Sequence, residues 1–254
     1  MDAAQILLLL VAAAGAGWVD AVVGGGGLVQ LPALLVAGVP PVQALATNKL
    51  ASVFGTASAA VTYARTTKFD RKLAVPAGAC AVVLAALGAA SAAAIPSQAL
   101  IPLVMVVLTG VGLVVALRPG FGARVRPHLR TPARVWAAIL VTGVGIAFYD
   151  GIVGPGTGMF LIIAFTAILG LDLVSASATA KIINTGTNIG ALLFFGYHGH
   201  VLWALGLGMA VCNIAGAQLG ARTALRRGTR FVRIVLLVVV VALLARLGYD
   251  RFLA

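Results

Sequence analysis

The sequence predicts an all-α membrane protein that crosses the bilayer several times. Of its 254 residues, 61% are hydrophobic and only 9% are charged, and the mean hydropathy is +1.10. A soluble domain carries roughly 45–50% apolar and about 25% charged residues. Apolar runs long enough to span a bilayer follow one another along the chain, and no water-soluble fold could bury this many apolar side chains.

The distribution of positive charge supports a membrane location. The formal net charge is +12, and fourteen of the eighteen Lys and Arg residues lie in three short segments, residues 65–72, 118–134 and 222–233. Basic loops between apolar segments are typical of the cytoplasmic face of a membrane protein. We therefore expect the lipid bilayer, and not nucleic acid, to be the partner of this charge. The N-terminus has an acid and no basic residue before its first apolar run, so it predicts a retained helix and not a secretory signal peptide.

The two halves of the chain resemble each other. Residues 44–52, ALATNKLAS, align with residues 176–184, ASATAKIIN, at an offset of 132 residues. The same offset aligns Cys80 with Cys212 and Gly88 with Gly220, and a gain of two residues in the second half aligns Asp20 with Asp150. Rare residue types match best, which favours internal duplication over chance. The predicted units are residues 1–122 and 123–254, joined in one membrane domain.

Each half contains about five apolar segments, of which the second is short. At about 1.5 Å per residue, a segment of a dozen residues covers only about 18 Å of a hydrocarbon core about 30 Å thick. Ten segments place all three basic loops on one side, whereas a count of eight places the third loop opposite the other two. Ten segments predict that both termini lie outside and that the second repeat is inverted, an architecture typical of secondary transporters. The segments are 4–22, 27–38, 42–63, 74–95 and 99–117, then 133–150, 157–170, 174–196, 200–221 and 231–248.

A glycine-rich stretch follows an aspartate in both halves, just before the short segment. Glycine permits unusual backbone angles, and irregular backbone inside a membrane is stable only where protein or water covers it. The free N–H groups and the positive dipole end at the start of a helix form an anion site. The alternative is that these glycines only allow close helix packing. The candidate residues are Gly24, Gly25, Gly26 and Gly27 in the first half and Gly154, Gly156 and Thr157 in the second.

The aspartates that precede these stretches have two possible roles. A carboxylate in a low-dielectric site holds its proton more tightly unless it is paired, so Asp20 and Asp150 are candidates for carrying a coupling proton. A role as caps of a helix end or loop is the alternative.

Two lysines lie well inside predicted membrane segments. A cation there costs roughly 2.5–3.5 kcal/mol on insertion scales and usually marks a transport pathway or an ionic partner. Lys49 and Lys181 are therefore candidates for holding an anion. The alternative is a structural ion pair of Lys49 with Asp20 and of Lys181 with Asp150, and both roles can coexist. Helical spacing or adjacency adds polar candidates beside these lysines, namely Thr47, Asn48, Ser52, Thr56, Thr179, Asn184 and Asn188.

No arrangement in the sequence points to catalysis. No Ser-His-Asp or Cys-His pattern is present, and no motif suggests a cofactor. His198 and His200 could bind a metal only with further ligands, so no metal site is expected. We therefore expect the chain not to be an enzyme.

The paired motifs resemble those of the sulfite exporter TauE/SafE family of membrane transporters. The resemblance rests on GWVDAVVGGGG and LPALLVAGVPPVQALATNK in the first half, and on YDGIVGPGTG and GLDLVSASATAK in the second. It implies transport of a small anion, such as sulfite, a sulfonate or another organosulfur acid, across a bacterial inner membrane. A departure from symmetry is Ala180, which stands where the first half has Asn48, so the half-sites need not contribute equally.

The sequence thus predicts a secondary transporter of a small anion that works by alternating access. A passive anion channel and a carboxylate transporter of the same architecture are the alternatives. A membrane scaffold without transport is a further one, although it would not need buried lysines or duplicated broken helices.

Overall fold

The computed structural model describes residues 1–67, 71–92, 122 and 125–252, and these contain helices and no strand. Among the described residues, four helical stretches are long and apolar enough to cross a membrane: Ala3–Val23, Arg71–Ser91, Pro132–Ile152 and Trp203–Val239. The prediction of an all-α, polytopic membrane protein is therefore confirmed. In chain order the helices are α1 Ala3–Val23, α2 Gly27–Val36, α3 Pro41–Ala64, α4 Arg71–Ser91, α5 Pro132–Ile152, α6 Thr157–Leu169, α7 Leu173–Tyr197 and α8 Trp203–Phe252.

Local sequence signals explain where several helices begin and end. Asp2 begins α1 with a capping box, in which its side chain accepts the Gln5 N–H at 2.7 Å. Asp172 caps α7 by accepting the N–H groups of Val174 and Ser175, each at 3.0 Å. The short second segment of each half is confirmed, because α2 has 10 residues and α6 has 13.

Two helices depart from regular geometry. Residues Leu140–Ile146 of α5 form a π-helical stretch, and α8 is interrupted at Gly228, whose φ of 69° and ψ of −168° are not helical. The expectation that residues 222–233 form a loop is wrong, because they are helical on both sides of that glycine. Arginine is a good helix former, so the charge that marks a cytoplasmic segment does not prevent a helix.

Part of the predicted organisation lies outside the described residues. The predicted segment 99–117 is not described, so the count of ten segments stays a prediction. The boundary between repeats after residue 122 also stays a prediction.

The two halves are interleaved. Helix α4 of the first half packs against α5 and α7 of the second, while α8 of the second half packs against α1 and α3 of the first. Matched glycines allow this: a Cβ atom on Gly88 would overlap the Phe148 carbonyl oxygen, and one on Gly220 would overlap that of Trp18. Each half thus supplies one helix to the other, which brings α1, α3, α5 and α7 together around a common centre.

Candidate functional site

Two buried ion pairs join the halves at this centre. Lys49 Nζ of α3 lies 2.7 Å from Asp150 Oδ2 of α5, and both side chains are only 2% exposed. Lys181 Nζ of α7 lies 2.8 Å from Asp20 Oδ2 of α1, with the lysine fully buried and the aspartate 14% exposed. The alternative of a structural ion pair is seen, but the partners given for it are wrong, because each lysine pairs with the aspartate of the other half. The pairs cross between halves because the helices are interleaved.

The second oxygen of each carboxylate reaches the start of the short helix in its own half. Asp20 Oδ1 accepts the N–H of Gly26, immediately before α2, at 3.4 Å. Asp150 Oδ1 accepts the hydroxyl of Thr157, the first residue of α6, at 2.6 Å. Each carboxylate therefore bridges a lysine of the other half and the positive end of a helix dipole. These are the groups that an anionic ligand would use.

The glycine stretches meet at the same centre. A Cβ atom on Gly24 would overlap the backbone of Gly158, and one on Gly158 would overlap Gly24. The left-handed backbone angles of Gly24, Gly154 and Gly156, with φ of 77°, 86° and 87°, let the chain reverse between helices. Gly24, Gly25 and Gly26 are buried, as are Pro155 and Gly156. Most of the irregular backbone is therefore covered by protein, as a membrane interior requires, while Gly154 is half-buried.

A polar side chain without a partner faces the start of α2. Asn48 is only 4% exposed, and its Oδ1 atom makes no hydrogen bond. Its Nδ2 atom lies 3.7 Å from the position that a Cβ atom on Gly27 would take. Oxygen and nitrogen of an amide are assigned from their partners, so this group can present either a donor or an acceptor at the start of α2. The aligned residue Ala180 offers no such group to the other half-site.

Most of the other polar candidates bond to groups of the protein itself. Thr56 and Asn188 meet between α3 and α7, with 3.5 Å between Oγ1 and Nδ2. Thr47 Oγ1 accepts the N–H of Leu202 just before α8 at 3.2 Å, which makes it a structural contact. The remaining side chains bond within their own helix, apart from half-buried Ser52: Thr179 donates to the Ser175 carbonyl and Asn184 accepts from Thr187.

Residues that the sequence did not single out hold the glycine stretches in place. The Tyr63 hydroxyl donates to the Ala21 carbonyl at 3.0 Å, and the Ser177 hydroxyl donates to the Val22 carbonyl at 3.3 Å. These bonds satisfy carbonyls in the last turn of α1, which lack partners within the helix. In the other half, the Tyr149 hydroxyl donates to the Pro155 carbonyl at 2.9 Å. A hydroxyl within an apolar run beside a glycine stretch is the signal that could have identified them.

A second buried polar contact fixes α2 from its other side. Asn213 Nδ2 of α8 donates to Gln30 Oε1 at 2.9 Å and to the Ala13 carbonyl at 3.2 Å. Gln30 is fully buried, so this amide pair ties α2 to α8 and to α1 within an apolar cluster. The short helix therefore cannot slide without breaking a buried hydrogen bond.

Comparison with known proteins places this arrangement in a family. Residues 9–247 match the model of the family described as sulfite exporter TauE/SafE. The chain is 38% identical over 245 residues to a Sinorhizobium protein named probable membrane transporter protein ORF9, covering 96% of this chain and 93% of that one. It is 36% identical over 238 residues to the Escherichia coli K12 probable membrane transporter protein YfcA, covering 92% and 86%.

A probable membrane transporter protein of Haemophilus influenzae is 32% identical over 242 residues, covering 93% of this chain and 91% of that one. No solved structure matches the chain significantly. The family match over nearly the whole chain, together with relatives named as membrane transporters, agrees with the apolar helices and the buried charged centre. The chain belongs to the sulfite exporter TauE/SafE family and is a membrane transporter.

Proposed function

We propose that the chain moves a small anion, such as sulfite, a sulfonate or another organosulfur acid, across a bacterial inner membrane by alternating access. The observation that carries this proposal is that both carboxylates occupy groups suited to an anion, namely a buried lysine and the start of a short helix. A sulfite or sulfonate group carries negatively charged oxygens that suit the same donors as a carboxylate. The description of the family supplies the sulfur chemistry.

The ion pairs explain how a transporter can hold buried lysines when no substrate is bound. Removing a charge from water costs several kcal/mol per ion, and a partner close by offsets this cost. Asp20 and Asp150 supply these partners. A substrate anion that replaces one carboxylate keeps the lysine neutralised, so binding exchanges one ion pair for another.

The crossed glycine stretches offer a place for movement between the halves. Gly24 and Gly158 touch through backbone atoms, without side chains that interlock. The broken helices meet there, and rocking of one set of elements against the other around a central site is how many secondary transporters alternate access. The site would face each side of the membrane in turn.

The function can be tested by anion flux into liposomes that contain the purified protein. We expect uptake of sulfite, thiosulfate or isethionate to exceed that of acetate and succinate. We also expect the same anion, loaded inside, to accelerate uptake, because a carrier returns faster when it is loaded. Flux that internal anion leaves unchanged would indicate a channel, and preferential uptake of succinate would indicate a carboxylate transporter. Absence of uptake of every anion would contradict the proposal.

The orientation that we propose has both termini outside and the basic segments in the cytoplasm. His198 and His128 are exposed at opposite predicted sides, and the two native cysteines, Cys80 and Cys212, can be replaced by serine. We expect an impermeant maleimide to label His198→Cys in intact spheroplasts, and to label His128→Cys only after permeabilisation. Labelling of His128→Cys in intact spheroplasts would overturn this orientation.

A further inference from the structure

We infer that the transported anion binds at the start of α2, and that it does so when Asp20 takes up a proton and releases Lys181. This inference rests on the proposed function and deepens it, because it assigns different roles to the two ion pairs. The Lys181–Asp20 pair opens during transport, whereas the Lys49–Asp150 pair stays closed and holds the two halves together.

The geometry of the two carboxylates supports this division. Asp150 is 2% exposed, and its two oxygens receive short bonds of 2.7 Å from Lys49 and 2.6 Å from Thr157. Asp20 is 14% exposed, and its second oxygen has only a long bond of 3.4 Å from a backbone N–H. A long hydrogen bond is weak, so Asp20 gives up less hydrogen-bond energy than Asp150 would when it moves away from its lysine. Water can also reach Asp20 more readily to deliver a proton.

The start of α2 has an unpartnered side-chain amide beside it, and the aligned position at the start of α6 has none. The Asn48 amide lies with its Nδ2 atom beside Gly27, and its Oδ1 atom makes no hydrogen bond although the side chain is almost fully buried. Buried polar groups usually find partners, and one without a partner calls for an explanation. At the start of α6, the Thr157 hydroxyl already bonds to both Asp150 and the Gly154 carbonyl. Of the two helix starts, that of α2 therefore offers a ligand a side-chain amide, whereas Ala180 offers none at the other.

The charges balance through the exchange. A proton from water converts the Asp20 carboxylate into a neutral carboxyl group, which no longer pairs with Lys181. The Lys181 ammonium group, the Gly26 N–H and the Asn48 amide then face the incoming anion. A monoanion takes the place of the lost negative charge, so the loaded site has the same net charge as the empty one. One proton accompanies each monoanion.

The described elements around Asp20 present few titratable or charged groups to it. Helix α7 presents Lys181, and α3 presents Tyr63, whose hydroxyl bonds to Ala21. Neither α2 nor α6 contains a titratable side chain. Helix α8 packs Phe231 on Trp18 of α1. The arginines of α8 lie close to Phe231 in sequence, and they stay charged at any relevant pH. In the described helices that pack on α1, Lys181 is the ionic partner that the structure gives for Asp20.

The test measures anion affinity as a function of pH. Isethionate and methanesulfonate are suitable probes because each stays a monoanion, so any proton taken up belongs to the protein, and sulfite serves as a reference ligand. We expect the affinity of the native protein to fall by up to tenfold per pH unit as pH rises, because binding takes up one proton. Asp20→Asn, which mimics the protonated state, should bind with an affinity that does not change with pH. The matched variant Asp150→Asn should keep the pH dependence.

A second measurement on the native protein does not depend on any variant folding. Calorimetric titration in two buffers of different ionisation enthalpy gives the number of protons bound with each anion, and we expect about one, as the exchange of one carboxylate requires. Anion binding without proton uptake, or pH dependence that persists in Asp20→Asn, would overturn the inference and leave the proposed function standing. Failure of the native protein to bind sulfite and both sulfonates at every pH would overturn both.

Discussion

Replacing Lys181 with Met is expected to weaken anion binding by about 10- to 150-fold, because a charge-assisted hydrogen bond contributes about 1.5–3 kcal/mol. Methionine keeps much of the apolar stem and removes the ammonium group. The change also leaves Asp20 without its ionic partner, so binding could be lost simply because the site is disturbed. A second substitution in the partner separates these two causes.

The crossed pairs determine which second substitution is informative. Lys181→Met with Asp20→Asn removes both members of one pair and leaves no uncompensated charge, and so does Lys49→Met with Asp150→Asn. Removing one member of a buried pair typically costs about 3–5 kcal/mol, so each single variant should melt at a lower temperature and each matched double variant should recover. The mismatched double variant, Lys49→Met with Asp20→Asn, leaves two orphaned charges and should be the least stable.

Transport by the matched double variants then distinguishes binding from structure. Lys181→Met with Asp20→Asn should fold and remain unable to accumulate sulfite, because the anion has lost its lysine. Lys49→Met with Asp150→Asn should fold and regain transport, because that pair holds the halves together and a neutral pair can do the same. Full recovery of transport in both double variants would contradict an anion site at either lysine. Recovery of stability in the mismatched double variant would contradict the crossed pairing itself.

The residues of the central site could be predicted from the sequence because charged residues are rare in an apolar chain. Lys49, Lys181, Asp20 and Asp150 stand out against helices that contain few charges, and glycine runs beside them mark broken backbone. The partner of each lysine could not be predicted, because it depends on the exchange of α4 and α8 between the halves. That exchange is a property of packing between distant segments, and no local pattern in either half records it.

Smaller errors have similar causes. The helical path through residues 222–233 was missed because a basic segment was read as a loop, while a single glycine at 228 provides the only break there. The roles of Tyr63 and Ser177 as partners of the last carbonyls of α1 were missed because each lies far from α1 in sequence. Hydrogen-bond partners of a broken helix end come from whichever element the fold brings near, so the sequence around the break does not identify them.

Replacing Asn48 with Leu is expected to separate stability from binding. The Asn48 Oδ1 atom is buried without a partner, so no hydrogen bond offsets the cost of its desolvation. An apolar side chain of similar size should leave the melting temperature unchanged or raise it. The same change removes an amide from the start of α2, and we expect sulfite affinity to fall by about 5- to 150-fold, which corresponds to about 1–3 kcal/mol for a group at the site left unpaired.

Asn188→Leu is the control, because Asn188 is also a buried asparagine, 3% exposed, but its amide is 3.5 Å from the Thr56 hydroxyl. Its loss leaves Thr56 without an interhelical partner, so the melting temperature should fall with little direct effect on affinity. Asn48→Leu should therefore lower sulfite affinity without lowering the melting temperature, whereas Asn188→Leu should lower the melting temperature with little change in affinity. A loss of stability in Asn48→Leu with unchanged sulfite affinity would show that Asn48 serves the fold, and that the start of α2 is not where the anion binds.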